Sequence, residues 1–114
     1  MTPAHQHRVA LTWKGVPSCS SQEELDLRLE RLLSRAAHLV SHTTQQLFQR
    51  KARILRVDSD VIPKKPLNNA PLEYRMTAVI LGPDDVNLAL RDYVGLPILQ
   101  EFFMLVSEYD QGPP

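Results

Sequence analysis

The stretch from residue 97 to residue 110, PILQEFFMLVSEYD, decides between two architectures for this chain. At the helical period, Ile98, Leu99, Phe102, Phe103 and Val106 make one apolar face, and Gln100, Glu101, Ser107 and Glu108 share the other with Met104. As a buried strand, FFMLVSEY instead completes a β-α-β-β-α-β order, the split βαβ arrangement. Periodicity favours the helix, while the strand gives a sheet its better-known closure. Residues 97–109 are therefore open between the two, and the upstream elements supply the frame.

Two segments alternate at the strand period. In RVALTWK, Val9, Leu11 and Trp13 alternate with Arg8, Ala10, Thr12 and Lys14, and Gly15 and Pro17 close the run. In LEYRMTAVIL, Tyr74, Met76, Ala78 and Ile80 face one way and Glu73, Arg75 and Thr77 the other. ARILRV, residues 52–57, has the β-branched content of a third strand, although no stop signal separates it from what precedes it.

Between the first and third of these lies the strongest helical signal. Ser20 and Ser21 stand three residues before Glu23 and Glu24, two overlapping capping boxes that start a helix near residue 21. Leu25, Leu29, Leu32, Leu33, Ala36, Leu39, Val40, Thr43 and Leu47 then recur at intervals of three and four. A second helix is expected from Pro83 through Val86, Ala89, Leu90 and Tyr93, with Asp84 and Asp85 at its positive end, Gly95 closing it and Pro97 barring continuation. The expected fold is one α+β domain: an antiparallel sheet of three or four strands packed against one long helix and a C-terminal helical segment, with βαββαβ (ferredoxin-like) as the alternative closure. Residues 1–7 and 110–114 are expected to be flexible tails.

Composition narrows the function. Thirteen basic residues balance thirteen acidic ones in a chain of 114, so no long-range field gathers nucleic acid or an anionic membrane. Cys19 is the one cysteine, which removes intramolecular disulfides and a cysteine zinc cage and fits a reducing compartment. The longest unbroken apolar run outside the N-terminus is Phe102 to Val106, far below the roughly 20 residues a bilayer crossing needs. The expectation is a cytoplasmic protein with no membrane partner.

Chemical motifs are sparse. Asp58 and Asp60, near Lys64 and Lys65, sit where a strand runs into VDSDVIPKKPLNNAPLEYR; without further oxygen ligands this reads as a hairpin connector open to partner contact. His38 and His42 stand one helical turn apart, but the residues between them lack a catalytic glutamate and no third ligand is in view. No Gly-x-Ser-x-Gly elbow and no glycine-rich phosphate loop occurs. No catalytic residue, cofactor or metal site is therefore expected.

What stands out is a polar ridge at 3-4 spacing on the outer face of the long helix: Arg28, Arg31, Arg35, His38, His42, Gln46 and Gln49. Its arginines and histidines, Arg28, Arg31, Arg35, His38 and His42, make with Lys64 and Lys65 the expected partner-binding set. The favoured function is a small non-enzymatic adaptor or assembly protein acting through protein-protein contacts. The alternatives are a nucleic-acid-binding accessory protein using the same basic face, and a small enzyme with a dimer-interface pocket. The expected partners are a protein and a second copy in a homodimer, with nucleic acid second to these.

Overall fold

The structure, a computed structural model, describes residues 4–109. Strand β1 (His5–Pro17) is followed by helix α1 (Gln22–Phe48), strand β2 (Arg53–Ile62), strand β3 (Leu72–Gly82), helix α2 (Val86–Leu90), helix α3 (Leu96–Leu105) and strand β4 (Val106–Tyr109). β1 begins at His5, so residues 5–7 of the expected N-terminal tail belong to a strand; residues 1–3 and the expected tail 110–114 lie outside the described residues.

β1 and β3 form the centre of an antiparallel sheet, in register from His5 opposite Gly82 to Gly15 opposite Leu72. β2 pairs with β3 on one side and β4 with β1 on the other, giving the order β2-β3-β1-β4. The alternation read from the sequence sets the faces. Val9, Tyr74, Met76, Ala78 and Ile80 are buried beneath the helices, and Arg8, Ala10, Thr12, Lys14 and Arg75 point the other way and are exposed.

α1 begins where the serines predict. Ser21 is the N-cap, its hydroxyl accepting from the Glu24 amide at 3.1 Å, and the Glu24 carboxylate in return accepts from the Ser20 amide at 3.0 Å. Hydrogen bonds from the Ser20 hydroxyl and then the Ser20 amide, and after them the nearby Arg28 guanidinium, hold the Glu24 carboxyl below its ordinary range. Leu25, Leu29, Leu32, Ala36, Val40 and Thr43 bury the inner stripe, whereas Leu47, placed on that stripe by periodicity, is 48% exposed. The helix ends without glycine or proline: Gln49 turns the chain with φ 51° and ψ −120°, a left-handed conformation that a residue with a Cβ adopts at a cost.

The C-terminal half departs from the expected helix boundaries. Gly95 and Pro97 do not stop the second helix; residues 91–95 form a π-helical turn that joins α2 to α3. Pro97 sits in the first turn of α3, where its missing N–H costs least. Gly95 serves packing, since a Cβ there would lie 3.3 Å from the Leu11 side chain. Asp84 and Asp85 make no side-chain cap: Asp85 precedes α2 with no side-chain hydrogen bond to its start. The two readings of 97–109 divide the segment between them, helix as far as Leu105 and strand from Val106. Gly15 makes room for that strand, because a Cβ on it would approach Val106 to 2.9 Å.

One core joins all these elements. At its margin the half-buried Trp13 stacks on the buried Tyr74 at 5.7 Å, and Phe102 from α3 tilts against both rings at 6.3 Å. The Tyr74 hydroxyl shares a 3.0 Å hydrogen bond with Ser59, and burial pushes its phenol above the ordinary value. Phe102, Leu105 and Val106 of the FFMLV block are core residues; Phe103 and Met104 face outward.

The proline-rich connector between β2 and β3, which contains a cis Ile62-Pro63 bond, is clamped to the turn before α1. Asn68 acts as a third backbone: its Oδ1 accepts from the Cys19 amide at 2.9 Å and its Nδ2 donates to the Cys19 carbonyl at 2.7 Å. Gln22 adds two bonds, accepting from the Asn68 amide and donating to the Pro66 carbonyl, each at 2.9 Å. The Asn69 amide donates to the Pro17 carbonyl at 2.9 Å.

Candidate functional site

Positions 28, 31 and 35 of α1 differ by three and four, so their side chains line one flank of the helix. That flank faces α3, and between the two helices runs a groove of about 320 Å³ lined by the three arginines, Leu32, Pro97, Gln100, Glu101, Met104 and Leu105. Its floor is apolar, Leu32 and Leu105 being 1% and 4% exposed, and its α3 rim carries Met104, at 75% the most exposed large apolar side chain of the described residues.

The charges on the α1 rim are unequal. Arg28 lies 3.7 Å from Glu24, one turn earlier on the same helix. Arg35 reaches across the groove, its Nη1 donating to Glu101 Oε2 at 2.8 Å. It therefore ties α1 to α3 rather than standing in water as a member of an acid-free ridge. Arg31, between them, is exposed and has no ion pair or hydrogen bond among the described residues. The groove thus offers one unengaged guanidinium flanked by two whose carboxylate partners are on the surface and exchangeable.

His38 and His42 continue the flank beyond the groove, exposed, with ring centroids 6.1 Å apart and planes 15° from parallel. Among the described residues no group of three or more His, Cys, Asp or Glu side chains is placed to hold a metal ion. Lys64 and Lys65 do not join the arginines. They lie at the opposite flank of α1, around a second depression of about 490 Å³ that also contains Asp26, Glu30, Leu33 and Leu67. The seven expected partner-binding residues therefore form two separate surfaces, one with arginine excess and one of mixed sign.

The aspartates of the connector are accounted for within their own strand. Asp58 pairs with Arg56 at 2.5 Å, and Asp60 Oδ1 accepts from the Val61 amide at 2.8 Å. What the sequence reading missed is the α3 side of the groove: Pro97, Gln100, Glu101 and Met104. Their polar and apolar mixture at 3-4 spacing was visible in the sequence, but their place opposite Arg31 and Arg35 depends on the π-helical turn that continues the helix past Gly95.

Comparison with known protein families, with curated proteins and with solved structures finds no match to this chain.

Proposed function

We propose that the chain is a small adaptor or assembly protein of the cytoplasm that holds an acidic, amphipathic segment of a partner protein in the groove between α1 and α3. The observation that carries this reading is the juxtaposition of three arginines with an apolar floor and the exposed Met104. A partner carboxylate can take Arg31 in a bidentate pair, and a second can replace Glu101 on Arg35. An apolar partner side chain then covers Met104, 75% exposed, whose unbranched thioether adapts to what it meets. The path β1-α1-β2-β3-α2-α3-β4, with β4 beside β1, supports reading the fold as the split βαβ arrangement, in which both helices share one side of the sheet and such a groove arises between them.

A protein partner fits better than nucleic acid. A phosphate track favours uninterrupted positive charge with rings available for stacking. Here Glu24 and Glu101 interrupt the arginines, Tyr74 and Phe102 are buried, and Trp13 is stacked on Tyr74 and lies outside the groove lining.

A photo-crosslinking side chain in place of Gln100, in the full chain expressed in cells, tests the reading. The expected adduct is one protein, crosslinked through a segment that carries carboxylates beside an apolar residue, and Arg31→Glu weakens its binding at least about tenfold, a loss of about 1.4 kcal/mol. Adducts to nucleic acid, or a partner bound equally well after Arg31→Glu, overturn it.

A further inference from the structure

At the far edge of the sheet, β2 carries its charges sorted by sign: Arg53 and Arg56 in its first half, Asp58 and Asp60 in its second. An irregularity puts them on one face. Ile54 stands opposite Ile80 and Arg56 opposite Val79, so Leu55 is an extra residue bulged out of the ladder. Arg53 is opposite Leu81, and Leu81 and Val79 are two apart on β3. The bulge thus brings Arg53 into phase with Arg56, Asp58 and Asp60 on the face away from the helices.

We propose that β2 is a self-recognition edge, along which two copies of this chain pair β2 to β2, antiparallel, about a two-fold axis at Val57. Counted along the bulged strand, that axis sets Arg56 against Asp58 of the second copy and Arg53 against Asp60, and symmetry repeats both oppositions. Charges on an edge strand ordinarily block pairing. Sorted as they are here, they oppose a copy in the parallel sense and attract one in the antiparallel sense, which specifies direction and register together. The existing Arg56-Asp58 pair, 65% and 56% exposed, shows that these side chains already reach each other on that face.

The helix side of the edge is also unfinished. Ile54 and Val57 point toward the core layer yet are only half-buried, while their neighbours on β3, Ile80 and Ala78, are completely covered. A second copy placed at β2 removes that apolar surface from water and supplies partners for the edge N–H and C=O groups. This surface is separate from the arginine groove, so loss of either leaves the other intact.

The test is the mass of the full chain in solution over a concentration series, for wild type and two charge variants. Wild type is expected to dimerise. Arg53→Asp/Arg56→Asp gives an all-acidic edge and Asp58→Arg/Asp60→Arg an all-basic one; each alone is expected to be a monomer with the wild-type circular dichroism spectrum. Mixed one to one, the two variants are expected to form a heterodimer that salt weakens. Val57→Cys in a Cys19→Ser background is expected to oxidise to a covalent dimer, because residues opposed on a two-fold axis in an antiparallel pair lie about 4.5–5.5 Å apart at Cα, within disulfide reach. A wild-type monomer at the highest soluble concentration overturns the proposal. So does a dimer that survives both charge variants, a mixture that stays monomeric, or a Val57→Cys chain that does not cross-link.

Discussion

Asn68 is the side chain on which the connector's position most depends, and Asn68→Ala measures how much. The substitution removes the bonds to the Cys19 amide and carbonyl, at 2.9 and 2.7 Å, and leaves the backbone bonds of residues 68 and 69 formally intact. Each lost bond is worth about 1 kcal/mol net. Cys19 is half-buried, so water replaces part of what is lost and only a fraction of the desolvation cost of its two orphaned groups is added. The sum is about 2–3 kcal/mol. At about 4 °C per kcal/mol for a chain of this size, the thermal midpoint falls by about 8–12 °C. Thermal and urea unfolding followed by circular dichroism read this directly, and the urea slope is expected to stay constant because the exposed surface on unfolding hardly changes. Asn68→Asp keeps the acceptor for the Cys19 amide but turns an oxygen toward the Cys19 carbonyl, so it is expected to lose at least the 2.7 Å bond. A midpoint within about 2 °C of wild type for Asn68→Ala, equivalent to about 0.5 kcal/mol, refutes the claim that this amide holds the loop.

Gln49→Gly is expected to stabilise the chain by about 1 kcal/mol, as relief of the strain at φ 51° and ψ −120° exceeds the added freedom of the unfolded state; a urea midpoint below wild type contradicts this. Tyr74 sets an alkaline limit: its phenol, raised by burial from a value near 10, keeps its proton in the folded chain after the unfolded chain has lost it. Stability is therefore complete below about pH 10 and declines as pH rises beyond it, and a Tyr74 ring NMR signal that titrates near 10 in the folded state contradicts the burial argument. Ser59→Ala leaves the buried Tyr74 hydroxyl unpaired and is expected to cost about 1–2 kcal/mol in urea unfolding, an effect absent in a Tyr74→Phe background. Arg35→Glu, which sets two carboxylates face to face across the groove, is expected to cost about 1 kcal/mol, with Glu101→Arg in the same chain restoring most of it; additive losses in that cycle show that the pair contributes nothing.

The strands and the long helix were legible because their signals are local. Alternation from Val9 to Trp13 and from Tyr74 to Ile80 already states which face is buried, and Ser21 with Glu24 states where α1 begins. The end of α1 was not legible, since it rests on a backbone conformation that Gln49 does not favour intrinsically. Gly95 and Pro97 misled for a related reason. Both break regular helices in isolation, but here the glycine is needed for contact with Leu11, and the π-helical turn absorbs the proline by placing it in a new first turn. The candidate groove was half legible: arginine spacing gave the α1 rim, whereas Glu101 and Met104 entered only through packing of α3 on α1. Lys64 and Lys65, grouped with the arginines by charge, lie apart because the connector is clamped beside the start of α1.

The central position of β1 also governs the order in which this chain can assemble during synthesis. β1 precedes the other elements described, yet both its neighbours come late: β3 starts at Leu72 and β4 at Val106. At about 5–20 residues per second, the 65 residues from the end of β1 at Pro17 to the end of β3 at Gly82 take about 3–13 s to make. During that time α1 can form, because its hydrogen bonds are local, while the strand that will become the middle of the sheet has two open edges and an apolar row of Val9, Leu11 and Trp13 that still lacks Phe102 and the rest of α3. The growing chain is therefore most exposed to misassociation before β3 emerges.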